Sequence, residues 1–350
     1  NPELSGGAGV SGVRGVAGFP NGETYRIGTP KPTGYVARLF LRGTIPLSRE
    51  SDTTGGDPNH LTTIEPAERI ELTGGRLSLM DVFDDNAYSH DPRTQFLNWA
   101  LMGNGAWDYP ADTRGYTWAF VATYNRPAWA VSVAAAMMPR EANGQDFDTD
   151  LSRSMGTALE VVLKERLGLP GTLRLELYHN RGKMGSYREA LTAAHPDVDS
   201  VGAASGGRKW GFGLNWEEQL GRYAGVFLRA GWNDGEYESF VFTEIDRTLS
   251  AGVVLDGRWW RQDEHLLGVA AVLNGLSRDH QDYLAAGGYG FIIGDGALHY
   301  GGEAILELFY RFQLTKEIAL TPDYNFIINP AYNRDRGPVH LFGMRVHVEF

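Results

Sequence analysis

Two absences narrow the fold before any motif is considered. The chain has no cysteine, and none of its apolar runs approaches the ~20 residues that a membrane-spanning helix needs. A mean hydropathy of −0.30 is also too low for a helical membrane protein. The lack of cysteine is compatible with the bacterial envelope, where stray thiols would be oxidised. The net charge of −11 argues against nucleic acid as a partner.

The end of the chain carries the strongest fold signal, because its residues alternate up to the last position. Every second residue from the end is apolar, namely Phe350, Val348, Val346, Met344 and Phe342. The residues between them are Glu349, His347, Arg345 and Gly343. The last residues of a soluble protein are usually frayed and polar. A strand with one apolar face and one charged face is typical of a transmembrane β-barrel. The alternative is an edge strand of a soluble β-sandwich.

Twelve more segments alternate in the same way, so the chain is predicted to be all-β, with about thirteen strands of a transmembrane antiparallel barrel. Gly74-Gly75 is interpreted as a bulge in one of them. The predicted strands are 34–46, 69–82, 115–124, 128–138, 156–166, 172–181, 209–219, 223–233, 245–256, 264–274, 302–314, 317–328 and 339–350.

The connections between these segments alternate between long and short, as outer-membrane barrels require. The short turns, such as Leu167–Gly171, are expected on the periplasmic side, and the polar connector 47–68 is the one misfit. When strand directions are counted back from the last strand, strand 34–46 runs from the external side to the periplasmic side. Residues 1–33 would therefore enter the barrel from the external side. One hypothesis is that an odd number of N-terminal strands is missing, most simply three of sixteen. The alternative is a strand missed within 1–28.

Segment 83–114 is the candidate for an infolded constriction loop, because it far exceeds ordinary connectors and is rich in aromatic residues that can pack. Residues 93–102 have helical spacing. Charged and aromatic side chains in or beside the segment could line a narrow passage, and the alternative for each is that it locks the segment to the wall or packs. These candidates are Asp81, Asp85, Arg93, Trp99, Trp107 and Asp108.

The strands themselves supply a second set of candidates, because their charged residues share the inward phase. A sugar has hydroxyl groups and apolar ring faces, so a sugar channel needs charged side chains beside aromatic ones, in weak contacts that release the solute. The alternative is that inward charges pair with each other and only solvate the wall. The candidates are Arg38, Arg42, Glu71, Arg174, Glu176, Arg229, Glu303, Glu307 and Arg345.

Several long motifs together resemble the OprB-type carbohydrate-selective porins. They are Arg76–Asn86, Ser89–Ala100, Gly105–Trp118, Gly287–Gly296, Leu320–Asn333 and Gly18–Glu23, and the likeness spans nearly the whole chain. The resemblance implies a sixteen-stranded outer-membrane porin that admits sugars by diffusion. It implies one barrel domain over 1–350, with 1–33 as a loop or plug-like segment. Members of the family normally carry more N-terminal sequence, which agrees with the hypothesis of missing strands.

The expected function is passive diffusion of mono- or oligosaccharides across a bacterial outer membrane. The alternatives are a barrel that transports an acidic polysaccharide and an outer-membrane barrel enzyme. No catalytic residues, cofactor or metal ligands are predicted, since the nine His residues form no HExxH motif. The expected partners are saccharides, outer-membrane lipid, the barrel-assembly machinery through the strand that ends at Phe350, and two further copies in a homotrimer.

Overall fold

A computed structural model describes residues 2–5, 15–22, 31–54, 63–164 and 171–349. Thirteen of its strands form one antiparallel sheet in which each strand pairs with its neighbours along the chain. This confirms the predicted all-β barrel architecture. The strands are β1 Pro2–Ser5, β2 Thr33–Val36, β3 Leu39–Pro46, β4 Ser51–Thr54, β5 Thr63–Pro66, β6 Arg69–Leu77, β7 Thr117–Asn125, β8 Trp129–Ala136, β9 Met155–Lys164, β10 Gly171–Gly182, β11 Gly207–Leu220, β12 Ala224–Asn233, β13 Arg247–Asp256, β14 Leu266–Gly275, β15 Glu303–Gln313, β16 Ile318–Ile328 and β17 Val339–Val348.

The sheet is made of β3 and β6 to β17, and the alternation of its side chains decides which face each presents. In β17, Phe342, Met344 and Val346 are 81%, 65% and 63% exposed on the outer face. In β15 the inward Glu303, Glu307 and Phe309 are completely buried, whereas Leu306 and Leu308 point outward and are about 40% exposed. The inner face of β15 is therefore covered, and the outer face of β17 presents the apolar surface that lipid requires.

Two of the predicted segments differ from the observed elements at the start of the sheet. Segment 34–46 is interrupted, because β2 pairs with β1 in a separate two-stranded sheet and the barrel strand begins only at Leu39. The connector 47–68 contains β4 and β5, which pair as a hairpin and continue the β3–β6 ladder through the bond from Leu47 N to Glu68 O. The misfit connector is thus an extension of a strand pair.

The predicted bulge at Gly74-Gly75 is wrong, since the pairing of β6 with both neighbours continues without interruption through these residues. Gly75 serves a different need. Its φ is +144°, and a Cβ there would lie 2.4 Å from the carbonyl oxygen of Leu39. Only glycine allows the two strands to approach this closely with that backbone conformation.

The connections keep the predicted alternation of length, and the α-helices lie in the long ones. They are α1 Trp99–Met102, α2 Tyr187–Ala190, α3 Val198–Ser205 and α4 Arg278–Ala285, and single 3₁₀ turns are found at Leu79–Asp81, Gly257–Trp260 and Pro330–Tyr332. None of the helices in the described residues has the length and apolarity to cross a membrane. Phe350, most of the predicted Leu167–Gly171 turn and parts of 1–33 lie outside the described residues. Among the described residues, β3 pairs with β6 and β17 pairs with β16, and these are the two ends of the sheet. The hypothesis that N-terminal strands are missing stays a prediction.

Candidate pore constriction

The connection between β6 and β7 lies inside the barrel, and its residues 83–114 are called the infolded segment here. Phe83, Phe96 and Trp107 are at most 1% exposed. Phe96 packs edge-on against Phe227 of β12 and Phe309 of β15, at centroid distances of 5.7 and 4.9 Å. A connecting segment reaches this degree of burial only when the wall surrounds it.

The helix predicted over 93–102 is reduced to the single turn α1. The backbone N–H groups of Leu97 and Asn98 donate to the two carboxylate oxygens of Glu307, at 2.6 and 3.0 Å, and so are not available to a helix. The Asn98 side chain caps α1 by accepting a bond from Ala100 N at 3.0 Å. The hydrogen bonds to Glu307 thus prevent the longer helix that the periodicity predicted. The residues on the predicted apolar face are nevertheless all buried, namely Phe96, Leu97, Ala100 and Leu101.

The centre of the infolded segment is fixed by a buried charge network around Asp84. Its carboxylate accepts bonds from Arg229 Nε at 3.1 Å, Asn215 Nδ2 at 2.6 Å and Asn104 N at 2.5 Å. The Asp84 backbone N–H donates to Glu160 at 2.7 Å. Glu176 is 4% exposed and accepts a bond from Asn104 Nδ2 at 3.3 Å. Arg229 and Glu176 therefore hold the segment rather than face open space.

Trp107 and Asp108 are sealed at the end of the barrel where the long connections meet. Trp107 is completely buried, against Phe83 and Tyr109. The Asp108 carboxylate accepts bonds from the backbone N–H groups of Phe240 and Val241, both at 2.8 Å. Burial raises the pKa of Asp108, although the nearby Lys209 and the backbone donors act in the opposite direction. Asp108 therefore joins the infolded segment to the connection between β12 and β13.

Arg38 lies in the break between β2 and β3 and binds Asp81 through two bonds, Nε to Oδ2 at 2.7 Å and Nη2 to Oδ1 at 2.6 Å. Glu3 accepts a further bond from Arg38 at 3.3 Å and one from the Tyr116 hydroxyl at 3.0 Å. A planar guanidinium matched to a carboxylate in this way gives a geometrically specific anchor. Arg38 and Asp81 thus anchor the turn that immediately precedes the infolded segment to the chain that precedes β3.

The remaining wall arginines keep contact with the infolded segment but stand nearer its edge. Arg174 binds Glu217 at 3.0 Å and Asp85 at 3.4 Å. Arg345 donates to the backbone oxygens of Pro92 and Gln95. Both arginines are inward-facing residues near the strand ends that meet the short connections.

The more open candidates lie around these arginines. The side chain of Asp85 is 64% exposed and that of Arg93 is 42% exposed. Arg42 is exposed and its guanidinium lies 5.7 Å from the centroid of the Phe40 ring. Glu71 is bonded to Arg69 and its side chain is 16% exposed. Trp99 is half-buried and stacks on Phe242 with centroids 5.5 Å apart and an interplanar angle of 17°.

Several important residues were not among the sequence-derived candidates. Glu160 and Lys209 are inward-facing charged residues that are at most 1% exposed, and the same alternation rule that selected Glu176 would have found both. Residues 15–22 lie beside the infolded segment, because Trp99 N donates to Phe19 O and Gly22 N donates to Leu97 O. No periodic pattern marks that stretch. No three His, Asp or Glu side chains are grouped to hold a metal ion within the part of the chain that the structure describes.

Comparison with known proteins places these features in a family. The profile of the carbohydrate-selective porin, OprB family, matches residues 2–350. The structure of Pseudomonas putida OprB determined at high pH is similar, with a TM-score of 0.71 and 16% identity over 98% of this chain and 80% of that one. The channel DcaP of Acinetobacter baumannii gives a TM-score of 0.46 and 10% identity over 99% and 95% of the two chains.

No curated protein matches the sequence. The family match and the barrel point to a channel rather than an enzyme. The chain belongs to the OprB family, and it is a saccharide-selective porin of the bacterial outer membrane.

Proposed function

We propose that saccharides bind, as they pass, to a ring of charged side chains beneath the infolded segment, at the level where the wall strands approach the short connections. Glu71 is the third residue of β6, Arg174 the fourth of β10, and Arg345 lies three residues before the end of β17. Asp85 and Arg93 approach this level from the infolded segment, because they are neighbours of Arg174 and of the Pro92 carbonyl that binds Arg345. Arg42 and Trp99 are further candidate contacts.

The observation that carries this proposal is the contrast between Asp85 and its immediate neighbours in the chain. Phe83, Asp84 and Asn86 are at most 2% exposed, whereas the Asp85 side chain is 64% exposed beside Arg174. A sugar hydroxyl both donates and accepts hydrogen bonds, so it can bridge a carboxylate and a guanidinium. Because such contacts are partly hydrated, each is weak enough to release the solute.

Conductance across planar bilayers, with and without oligosaccharide, tests the proposal. The wild-type channel should be blocked by added sugar, and Asp85→Asn or Arg93→Gln should weaken the block by roughly threefold to tenfold, the net effect of one ordinary, partly hydrated hydrogen bond. Asp150→Asn is the matched control, since Asp150 is 52% exposed in the connection between β8 and β9. Unchanged block in both ring variants would remove these residues from the path, and a silent barrel that cleaves glycans would overturn the passive-diffusion mechanism.

The assembly partners belong to the same proposal. The outer residues of β17 form an apolar row that suits contact with lipid and recognition by the barrel-assembly machinery. A homotrimer would cover part of the apolar outer surface. Chemical cross-linking in the membrane should then give a three-chain product, and a product that stops at one chain would contradict trimerisation.

A further inference from the structure

Strand β15 carries two carboxylates, Glu303 and Glu307, that face inward, are completely buried and form no ion pair within the described residues. A buried carboxylate without a cation is costly unless other donors satisfy its oxygens. Here most of the donors are backbone N–H groups from segments that run through the interior, and Asn274 Nδ2 also donates to Glu303 at 3.4 Å. The two side chains lie four residues apart on one strand, and therefore about 13 Å apart on one face.

Glu307 receives the two N–H groups that precede α1. Leu97 N donates to Oε1 at 2.6 Å and Asn98 N to Oε2 at 3.0 Å. The Asn98 side chain then donates to Gly18 O at 2.9 Å. The Glu307 carboxylate thus fixes the turn of the infolded segment from which α1 begins. The same turn also contacts residues 15–22.

Glu303 receives three N–H groups from two other parts of the chain. Ala17 N and Gly18 N donate at 3.0 and 2.7 Å, and Ala331 N donates at 2.8 Å from the connection between β16 and β17. Donors of this kind satisfy the buried oxygens of the Glu303 carboxyl group. Residues 15–22 are therefore held on the same wall strand as α1.

We propose that Glu303 and Glu307 are positioning residues, which hold residues 15–22 and 97–102 as one body against β15 and thereby fix the size limit of the channel. The inference rests on the proposed function, since it assigns the width of the path that the charged ring lines. The bonds Trp99 N to Phe19 O and Gly22 N to Leu97 O join the two segments to each other, so both clamps act on the same body.

Glutamine is the sharpest substitution at these positions because it keeps the size and removes only the acceptor character. Its amide nitrogen would face a backbone N–H, donor against donor, and one bond would be lost. A bond of this kind corresponds to roughly a tenfold change in the ratio of docked to undocked segment. Glu303→Gln and Glu307→Gln should therefore raise single-channel conductance and admit longer oligosaccharides into proteoliposomes, with Glu317→Gln in the turn before β16 as the matched control.

A reversible lock separates this role from a general loss of folding. A Cβ on Gly18 would lie 2.4 Å from Ile305 Cδ1, so Gly18→Cys with Ile305→Cys places two thiols close together in a chain that has no other cysteine. In the Glu303→Gln background, oxidation should restore the wild-type conductance and size limit, and reduction should release them again. Normal heat-modifiable migration on gels would show that the barrel itself has assembled.

The outcomes are distinguishable. If sugars block the wild type but the size limit of both glutamine variants is unchanged, the clamp role is wrong and the charged ring stands. If oxidation of the locked variant leaves its conductance high, residues 15–22 do not set the width. If sugars fail to block even the wild type, the failure lies with the proposed function, and the size limit measured with malto-oligosaccharides still tests the clamps.

Discussion

Arg229 and Asp84 form an ion pair in the interior of the barrel, with 3.1 Å between Arg229 Nε and Asp84 Oδ1 and at most 3% of either side chain exposed. Arg229 also donates to Leu101 O at 2.8 Å and to Asp84 O at 3.1 Å. One wall residue therefore binds two points of the infolded segment that are seventeen positions apart in sequence. This makes it the central attachment of the segment to β12.

Removal of either partner of this pair should release the infolded segment. Arg229→Gln leaves the Asp84 carboxylate buried without its cation, a change that typically costs about 3–5 kcal/mol. Protease should then cleave residues 83–114 in the assembled barrel, and single-channel conductance should rise.

The double variant Asp84→Asn with Arg229→Gln provides the control for that prediction. Because the pair is removed as a unit, no isolated charge stays buried, and the double variant should be less damaged than Arg229→Gln alone. Damage equal to the sum of the effects of Asp84→Asn and Arg229→Gln alone would show that the pair contributes nothing beyond the separate side chains.

Glu238 predicts a pH dependence of the connection between β12 and β13. Burial, followed by the negative charge of Asp199, raises the pKa of Glu238 to about 9 from an ordinary 4.5. The folded connection therefore holds a proton that the unfolded one releases, so its stability is full below pH 4.5 and falls as the pH rises towards 9. Glu238→Gln should remove this fall. Hydrogen exchange of residues 234–246, corrected for intrinsic rates, measures it, and an equal pH trend in both proteins would contradict the assignment.

The two tryptophans of the infolded segment should respond differently to truncation. Trp107 is fully buried, so Trp107→Ala should leave a cavity and destabilise the protein by about 3–5 kcal/mol, seen as a lower midpoint of chemical unfolding. Trp99 is half-buried and bonded through Nε1 to Asn21 O at 2.9 Å, so Trp99→Ala should cost less. Trp99→Ala should instead reduce the block by sugars if its open edge meets the solute. Similar unfolding midpoints for the two variants would contradict this division.

The strands could be predicted from sequence because one face of each strand meets lipid and the other meets the interior of the barrel. Side chains therefore alternate in character along the strand. In β15, for example, Leu306 points outward and Glu307 points inward. The path of the infolded segment could not be predicted in the same way. Its buried residues follow no fixed period, since Phe96 packs in one buried cluster whereas Phe83 and Trp107 pack together in another.

The hydrogen-bond partners of the inward charged residues could not be predicted from the sequence either. Alternation places Arg38 and Glu307 on the inner face, but it does not reveal that Arg38 meets Asp81 or that Glu307 meets two backbone N–H groups. Such partners come from distant parts of the chain, 210 residues away for Leu97 and Glu307 and 286 residues away for Ala17 and Glu303. The alternative considered for the wall candidates was that they pair with each other, whereas Arg229, Glu176 and Glu307 bind groups of the infolded segment in this structure.

Glycines on the wall opposite the infolded segment give the last prediction. A Cβ on Gly231 of β12 would lie 1.9 Å from Asn104 Oδ1, and one on Gly225 would lie 1.9 Å from Tyr88 Cε1. Neither position has a backbone conformation that requires glycine. Glycine is required at both because a side chain would occupy the space that the infolded segment fills. Gly231→Ala should therefore displace residues near Asn104 without breaking the strand.

The expected result is a barrel that assembles normally but has altered conductance and greater protease cleavage within 83–114. Gly43→Ala on β3 is the matched control, because a Cβ there would meet nothing within 4 Å. The same change in both variants would mean that alanine acts through the strand itself. A change confined to Gly231→Ala would show that wall glycines determine how closely the infolded segment approaches β12, and hence how much of the lumen it leaves open.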